Sequence, residues 1–79
     1  MQKSVTIYST PSCVYCKMAK AFFKEKGIEY KEVDVAADQA AQQEMFAKSE
    51  QWGVPVIDIG GDIYVGFNRE ALAQALGVN

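Results

Sequence analysis

Two cysteines, Cys13 and Cys16, are separated by two residues in a chain of 79 residues that contains no histidine. This spacing allows a structural disulfide, half of a metal site, or a redox-active dithiol. A disulfide that closes so short a loop stabilises the folded state by only roughly 2 kcal/mol in the chain-entropy model, so a purely structural role is unfavourable. Thiol–disulfide exchange needs only the two thiols that are present, and Cys-x-x-Cys at the start of a helix is typical of it. The sequence therefore favours a redox pair.

The absence of histidine limits the other chemistries. It excludes Ser-His-Asp and Cys-His catalysis and every zinc site built on imidazole. Two cysteines cannot supply four thiolates, so a metal site within one chain would need carboxylates, which suit zinc and iron–sulfur clusters badly. A metal site shared between two chains stays open. We expect no bound metal or cofactor.

The helix predicted to follow the first cysteine gives the two sulfurs different roles. Cys13 lies at the start of this helix, where unpaired N–H groups and the positive end of the helix dipole stabilise a thiolate. Cys16 lies one turn deeper and faces the core by helical phase. We therefore predict that Cys13 attacks the disulfide of a substrate and that Cys16 resolves the mixed disulfide.

Turn and cap residues divide the chain into strands and helices. Strands are predicted at residues 4–9, 28–35, 54–59 and 62–65, and helices from Ser12 or its neighbour to Gly27, from Asp38 to about Glu50, and from Asn68 to Gly77. Gly60 and Gly61 predict a two-residue hairpin turn. The first strand–helix–strand unit is expected to be parallel and right-handed. The order is βαβ, helix, ββ, α in one domain over residues 1–79.

Pro55 interrupts the apolar run before the hairpin. Because proline cannot donate a ladder hydrogen bond, the simplest interpretation is an edge strand. The alternative is a cis Val54–Pro55 bond, which leaves the backbone of Val54 free to pair with an extended substrate beside the cysteines. The residues alone favour the edge strand, since only about 5 to 6% of X–Pro bonds in folded proteins are cis.

Composition and charge narrow the function classes. Hydrophobic residues make up 49% and charged residues 23% of the chain, as in a compact globular domain. A net charge of −2 argues against general nucleic-acid binding. No apolar run approaches the ~20 residues that span a bilayer and residues 1–5 lack a signal-peptide core, so we expect a cytoplasmic protein without a membrane partner. Lys17, Lys20 and Lys24 recur at helical spacing and are predicted to line one exposed face.

Several segments in register resemble a small glutaredoxin of the thioredoxin fold. These are residues 7–20 with Cys-Val-Tyr-Cys, residues 53–56 with Gly-Val-Pro-Val, and residues 60–62 and 65–67 with Gly-Gly-Asp and Val-Gly-Phe. The resemblance covers nearly the whole chain and is closest to NrdH-type redoxins. It implies an α/β protein with a four-stranded mixed sheet and three flanking helices, a cis-proline at Pro55, and a redox disulfide between Cys13 and Cys16. The substrate-binding residues that we predict are Tyr15, Val54, Pro55, Gly66 and Phe67.

The sequence differs from glutathione-dependent glutaredoxins at positions that would bind glutathione, and these differences bear on the choice of electron donor. Such glutaredoxins usually place a basic residue three before the first cysteine, where this chain has Thr10, and a small and an acidic residue after the last strand, where it has Phe67 and Arg69. Each lost charge-assisted contact is worth roughly 1.5 to 3 kcal/mol, so we predict weak glutathione affinity. The resemblance to NrdH-type redoxins implies thioredoxin reductase as electron donor and ribonucleotide reductase as recipient.

Three alternative functions stay open. They are a glutathione-dependent glutaredoxin, an iron–sulfur carrier shared between two chains, and an adaptor domain with incidental cysteines. We expect a monomer.

Overall fold

The computed structural model describes residues 4–78. Residues 1–3 and 79, which the sequence analysis includes in the single domain, lie outside this range. The elements, in chain order, are β1 (Val5–Ser9), α1 (Val14–Glu25), β2 (Lys31–Asp34), α2 (Gln39–Ser49), β3 (Val56–Ile59), β4 (Asp62–Val65) and α3 (Arg69–Leu76). The predicted order of strands and helices is therefore confirmed.

A four-stranded mixed sheet in the order β2–β1–β3–β4 forms the centre of the molecule. β1 pairs in parallel with β2 and antiparallel with β3, and β3 pairs antiparallel with β4. The predicted α/β class, with four strands and three helices, is confirmed. The hairpin prediction also holds, because Gly60 and Gly61 have φ values of 59° and 102°. Glycine adopts this left-handed region without the steric cost of a Cβ atom.

The second strand begins three residues later than predicted. It starts at Lys31, because the preceding residues form the end of α1 and a turn. Gly27 has a φ of 67°, and the N–H of Ile28 reaches back to the carbonyl oxygen of Phe23 at 2.8 Å. This C-terminal cap satisfies a helix carbonyl and turns Ile28 into the core. The apolar residue at position 28 is a capping contact and not part of a strand.

The third strand is also shorter than predicted, and it begins at Val56. It lies between β1 and β4, so the edge-strand interpretation of Pro55 is wrong. Pro55 has no N–H to offer to the β ladder, so regular pairing cannot include it. Its carbonyl oxygen instead accepts a hydrogen bond from the N–H of Gly66 at 2.8 Å. This bond joins the loop before β3 to the end of β4.

Helix caps follow the predicted residues. Asp38 and Asn68 cap α2 and α3 through side-chain oxygens that accept from the N–H groups of Ala41 and Ala71, at 3.1 and 3.0 Å. The cap of α1, predicted as Ser12 or its neighbour, is Cys13. A sulfur atom therefore occupies the position where a helix usually takes a side-chain oxygen.

The sheet separates two apolar clusters. Neighbouring residues of a strand point to opposite faces, and Ile7 and Tyr8 of β1 accordingly belong to different clusters. The cluster under α1 and α3 contains Val5, Ile7, Ala19, Phe22, Phe23, Ile28, Ile57, Ile59 and Leu72. The cluster under α2 contains Tyr8, Val35, Ala41, Met45 and Val56. The predicted core roles of Ala41 and Met45 are confirmed.

Candidate active site

Cys13 stands between β1 and α1, at the carboxyl end of a central strand. Its N–H donates to the carbonyl oxygen of Thr10 at 3.3 Å, which closes the turn that leads into the helix. Its Sγ accepts a hydrogen bond from the N–H of Cys16 at 3.2 Å, and its thiol donates to the carbonyl oxygen of Val54 at 3.8 Å. Cys13 is half-buried. A sulfur anion here would meet the unpaired N–H groups of the first helical turn.

Cys16 lies one turn further along α1 and has no solvent exposure. The prediction that it faces the core is confirmed. Burial, together with a side-chain hydrogen bond with Cys13, raises the pKa of the Cys16 thiol to about 12, against the opposing effects of a backbone hydrogen bond with Thr10 and the positive charge of Lys20. Cys16 is therefore shielded and protonated near neutral pH. The two cysteines are not bonded to each other, so the structure describes the dithiol form.

The loop before β3 lies beside Cys13. The Val54–Pro55 bond is cis, as the resemblance implies. Val54 is half-buried and directs its carbonyl oxygen toward the Cys13 thiol, while Pro55 is buried. Gly66, with a φ of 80°, binds the Pro55 carbonyl oxygen through its N–H. The structure therefore places Val54, Pro55 and Gly66 in one hydrogen-bonded unit next to the candidate nucleophile.

Phe67 and Arg69 are both engaged with α1. The Phe67 ring packs edge-on against Phe22, with the ring centroids 6.2 Å apart. The Arg69 guanidinium lies 4.7 Å from the centroid of the Phe22 ring and donates to Glu25 at 2.5 Å. This hydrogen bond and the charge of Arg69 lower the pKa of the Glu25 carboxyl. The positive charge predicted to oppose glutathione is thus offset by a carboxylate on α1.

Several large apolar side chains of the molecule are exposed, and two of them stand between the cysteines in the sequence. Val14 and Tyr15, between the cysteines, are 65% and 61% exposed. Trp52 is also exposed and stacks on Phe46 of α2, with centroids 4.2 Å apart and planes within 14°. This aromatic pair could not be predicted from the sequence, because Trp52 lies in a loop and no periodicity links it to a helix residue.

Lys20 departs from the prediction of an exposed lysine face. Lys17 and Lys24 are exposed, as predicted, whereas the Lys20 side chain is only 21% exposed. Its Nζ lies 2.8 Å from Oε2 of Glu32 on β2. The same oxygen accepts from the hydroxyl of Ser9, a buried residue at the end of β1, at 3.5 Å. Helical spacing identifies the face but cannot show which lysine finds a carboxylate on the neighbouring strand.

Two absences apply to the described part of the chain. In residues 4–78, no group of three or more Cys, His, Asp or Glu side chains could hold a metal ion. Within the same residues, no helix is long and apolar enough to cross a membrane.

A mixed sheet in this strand order, with Cys-x-x-Cys at the start of α1 and a cis-proline beside it, defines a thioredoxin-like fold with a dithiol site. The crystal structure of the thioredoxin-like protein BC3987 superposes with a TM-score of 0.87 at 32% identity, over 92% of this chain and 100% of that one. The NrdH-redoxin from Escherichia coli shares the fold, with a TM-score of 0.81 over 90% of this chain and 92% of that one, at 22% identity.

Sequence comparison identifies the family. The glutaredoxin family model matches residues 5–64, so the chain belongs to the glutaredoxin family, whose members are thiol–disulfide oxidoreductases. A glutaredoxin-like protein of 8.6 kDa in the rubredoxin operon of Clostridium pasteurianum is 49% identical over 72 residues, or 91% of this chain and 96% of that protein. Glutaredoxin 3 of Escherichia coli K12 is 36% identical over 56 residues, or 71% of this chain and 68% of that protein.

Proposed function

We propose that this protein reduces protein disulfides by dithiol exchange, with Cys13 as the nucleophile and Cys16 as the resolving thiol. One observation carries the proposal: the Cys13 sulfur caps α1, while Cys16 is buried one turn below it. A capping sulfur is held where the helix N–H groups favour an anion, and it is accessible to a partner. A buried thiol one turn away reacts only after the partner is attached to Cys13.

The exchange takes place in two steps. The Cys13 thiolate attacks one sulfur of the substrate disulfide, which forms a mixed disulfide and releases the first substrate thiolate. The Cys16 thiolate then attacks Cys13 Sγ, which forms the Cys13–Cys16 disulfide and releases the second substrate thiolate. The substrate disulfide gains two electrons, and the dithiol loses them. Both released thiolates take protons from solvent.

The substrate surface that we propose combines backbone and apolar contacts. The backbone of Val54 lies beside Cys13 and can pair with an extended segment of the substrate, while Pro55 and Gly66 hold this loop in place. Tyr15 is exposed next to the nucleophile and offers an aromatic contact. Phe67, packed on Phe22, would border the same surface.

The electron donor that we propose is a flavin-dependent thioredoxin reductase, with a ribonucleotide reductase as one recipient. Thr10 supplies no positive charge for the tripeptide, and the exposed apolar Val14 and Tyr15 suit a protein partner better than a small peptide. The similarity to glutaredoxin 3 favours the alternative donor, glutathione. We propose a cytoplasmic monomer without a bound cofactor; an iron–sulfur carrier shared between two chains is the less favoured alternative.

A comparison of electron donors tests this function. The oxidised protein is offered thioredoxin reductase with NADPH, or glutathione, and the free thiols are titrated over time. We expect faster reduction by the reductase. Reduction by glutathione without turnover by the reductase would place the protein among the glutathione-dependent glutaredoxins. The Cys16→Ser variant should accumulate mixed disulfides with substrates, whereas failure of wild-type protein to reduce any disulfide would overturn the proposal.

A further inference from the structure

The resolving step presents an electrostatic problem. Cys16 must lose its proton before it can attack Cys13, yet it is fully buried, and burial raises its pKa to about 12. A thiolate at this position forms only at a cost unless a positive charge lies nearby. A backbone hydrogen bond with Thr10 already favours the Cys16 thiolate, and a cation nearby on α1 would add to this effect.

Lys20 is in the position to supply this charge. It follows Cys16 by four residues on α1, and side chains at this spacing are neighbours on one helix face. Glu32 of β2 holds Nζ at 2.8 Å at the surface, and the Lys20 side chain is only 21% exposed. Glu32 is itself bound by the buried hydroxyl of Ser9. The ammonium is thus anchored between the helix and the edge of the sheet.

Few titratable groups act on this pair. Cys13 and Lys20 influence Cys16 from α1 and its cap, while Glu32 on β2 and Tyr30 just before it influence Lys20. The buried side chains that β1, β3 and α3 contribute to the cluster under α1 are all apolar, and they are Val5, Ile7, Ile57, Ile59 and Leu72. Among residues 4–78, Lys20 is therefore the cation that acts on the Cys16 thiol.

We propose that Lys20 supports the resolving step by stabilising the Cys16 thiolate, and that Glu32 is the positioning residue that holds Lys20 beside it. This rests on the proposed dithiol mechanism. Cys16 gives its proton to solvent, its thiolate forms a bond to Cys13 Sγ, and the bond between Cys13 and the partner sulfur breaks. The partner leaves as a thiolate and takes a proton from solvent, so Lys20 remains protonated throughout and is not consumed.

The test separates attack from resolution in a single reaction. Reduced protein is mixed rapidly with an aromatic disulfide that releases a coloured thiolate at each exchange, so the first phase reports Cys13 and the second reports Cys16. In Lys20→Gln, the second phase should slow by about three- to tenfold near neutral pH, which corresponds to a rise of about half to one unit in the pKa of Cys16. Its pH profile should move to higher pH by the same amount, while the first phase stays unchanged.

Matched variants exclude a general effect of charge. Lys24→Gln removes an exposed lysine of the same helix face and should leave both phases unchanged. Lys20→Arg keeps the charge and should restore the second phase. If Lys20→Gln does not fold, Lys20→Met removes the charge with an apolar stem of similar length. Equal second phases in Lys20→Gln and Lys24→Gln would overturn the proposal, whereas the absence of a second phase in wild-type protein would instead overturn the dithiol mechanism.

Discussion

Two lysines on opposite sides of the sheet make similar contacts in different surroundings. Lys20 of α1 binds Glu32 of β2, and its side chain is 21% exposed. Lys48 of α2 binds Asp58 of β3 at 2.9 Å, and its side chain is 32% exposed. Each lysine ties a helix to a strand, but only Lys20 lies one turn from a cysteine. The same contact, a lysine bound by a carboxylate, would therefore stabilise the fold at Lys48 and, under our proposal, support exchange at Lys20.

The contact under α2 is anchored more firmly. Lys48 Nζ also donates to the hydroxyl of Tyr8 at 2.7 Å and lies 5.2 Å from the centroid of its ring, and Tyr8 is buried. The hydrogen bonds with Tyr8 and Asp58 raise the pKa of Lys48. Burial opposes the ionised form of Asp58, but hydrogen bonds from Lys48 and from the N–H of Gly61 lower its pKa overall. We therefore assign a stabilising role to the lysine on the α2 side and a role in exchange to the lysine on the α1 side.

The largest effect expected is on exchange, from Cys13→Ser. Disulfide reduction should fall to background, because a serine hydroxyl does not exchange with disulfides. The stability should stay close to that of the reduced wild type, since serine is itself a favourable N-cap residue. Activity is measured with a protein disulfide, and stability by urea unfolding. Residual reduction by the variant would show that Cys16 attacks directly, contrary to its complete burial.

The second-largest effect that we expect is a loss of stability in Lys48→Met. The change removes hydrogen bonds to Asp58 and to the buried Tyr8 hydroxyl, and it should lower the free energy of unfolding by about 1–2 kcal/mol. The exchange rate should not change, because the lysine lies on the face away from the cysteines. Lys24→Met, which replaces an exposed lysine, is the control and should cost little. A slower exchange in Lys48→Met with unaltered stability would reverse the assignment of the two faces.

Much of the fold could be predicted because local chemistry determines it. Asp38 and Asn68 cap their helices, and Gly60 and Gly61 form the hairpin turn, through contacts within three residues. The strand ends were less predictable. Ile28 has a β-branched side chain that suits a strand, but a capping bond to Phe23 overrides this preference.

In the candidate site, too, local features could be predicted from the sequence, whereas contacts between distant elements could not. The burial of Cys16 followed from helical phase, and this prediction is confirmed. The bonds from Lys20 to Glu32, from Lys48 to Asp58 and from Arg69 to Glu25 could not be predicted from spacing, since each joins residues at least ten positions apart on different elements. Pairs of this kind depend on how helices pack on the sheet, which residue periodicity does not specify.

A smaller effect should appear in the pH dependence of stability. Because the pKa of Cys16 is raised in the folded state, its contribution is fully present below the unfolded pKa of about 8.5 and is lost as pH rises toward about 12. Reduced wild-type protein should therefore lose about 1 kcal/mol more than Cys16→Ala between pH ~7.5 and ~9.5. For each protein, the free energy of unfolding is measured against pH, and the slopes of the two curves are compared. The absolute free energies are not compared, because Cys16→Ala also removes packing contacts. Parallel curves would show that Cys16 does not titrate in this range upon unfolding.

The smallest effect expected concerns Arg69, a third anchored cation and the most exposed of the three at 53%. From the sequence, the charge of Arg69 is predicted to oppose glutathione binding, but Glu25 already offsets that charge. Arg69→Asp would leave Glu25 with only its longer contact to Lys26, at 3.9 Å, and would place a carboxylate on α3 opposite it. Phe67 would still pack on Phe22. We therefore expect the glutathione-driven rate to change by less than about threefold, because a solvent-exposed ion pair contributes little.

The companion variant is Phe67→Gly, which opens space but removes the ring from Phe22 and should lower stability. If Arg69→Asp alone raised the rate with glutathione by tenfold or more, the guanidinium would govern donor choice despite its bond to Glu25, and exposure would be a poor guide to the importance of these cations.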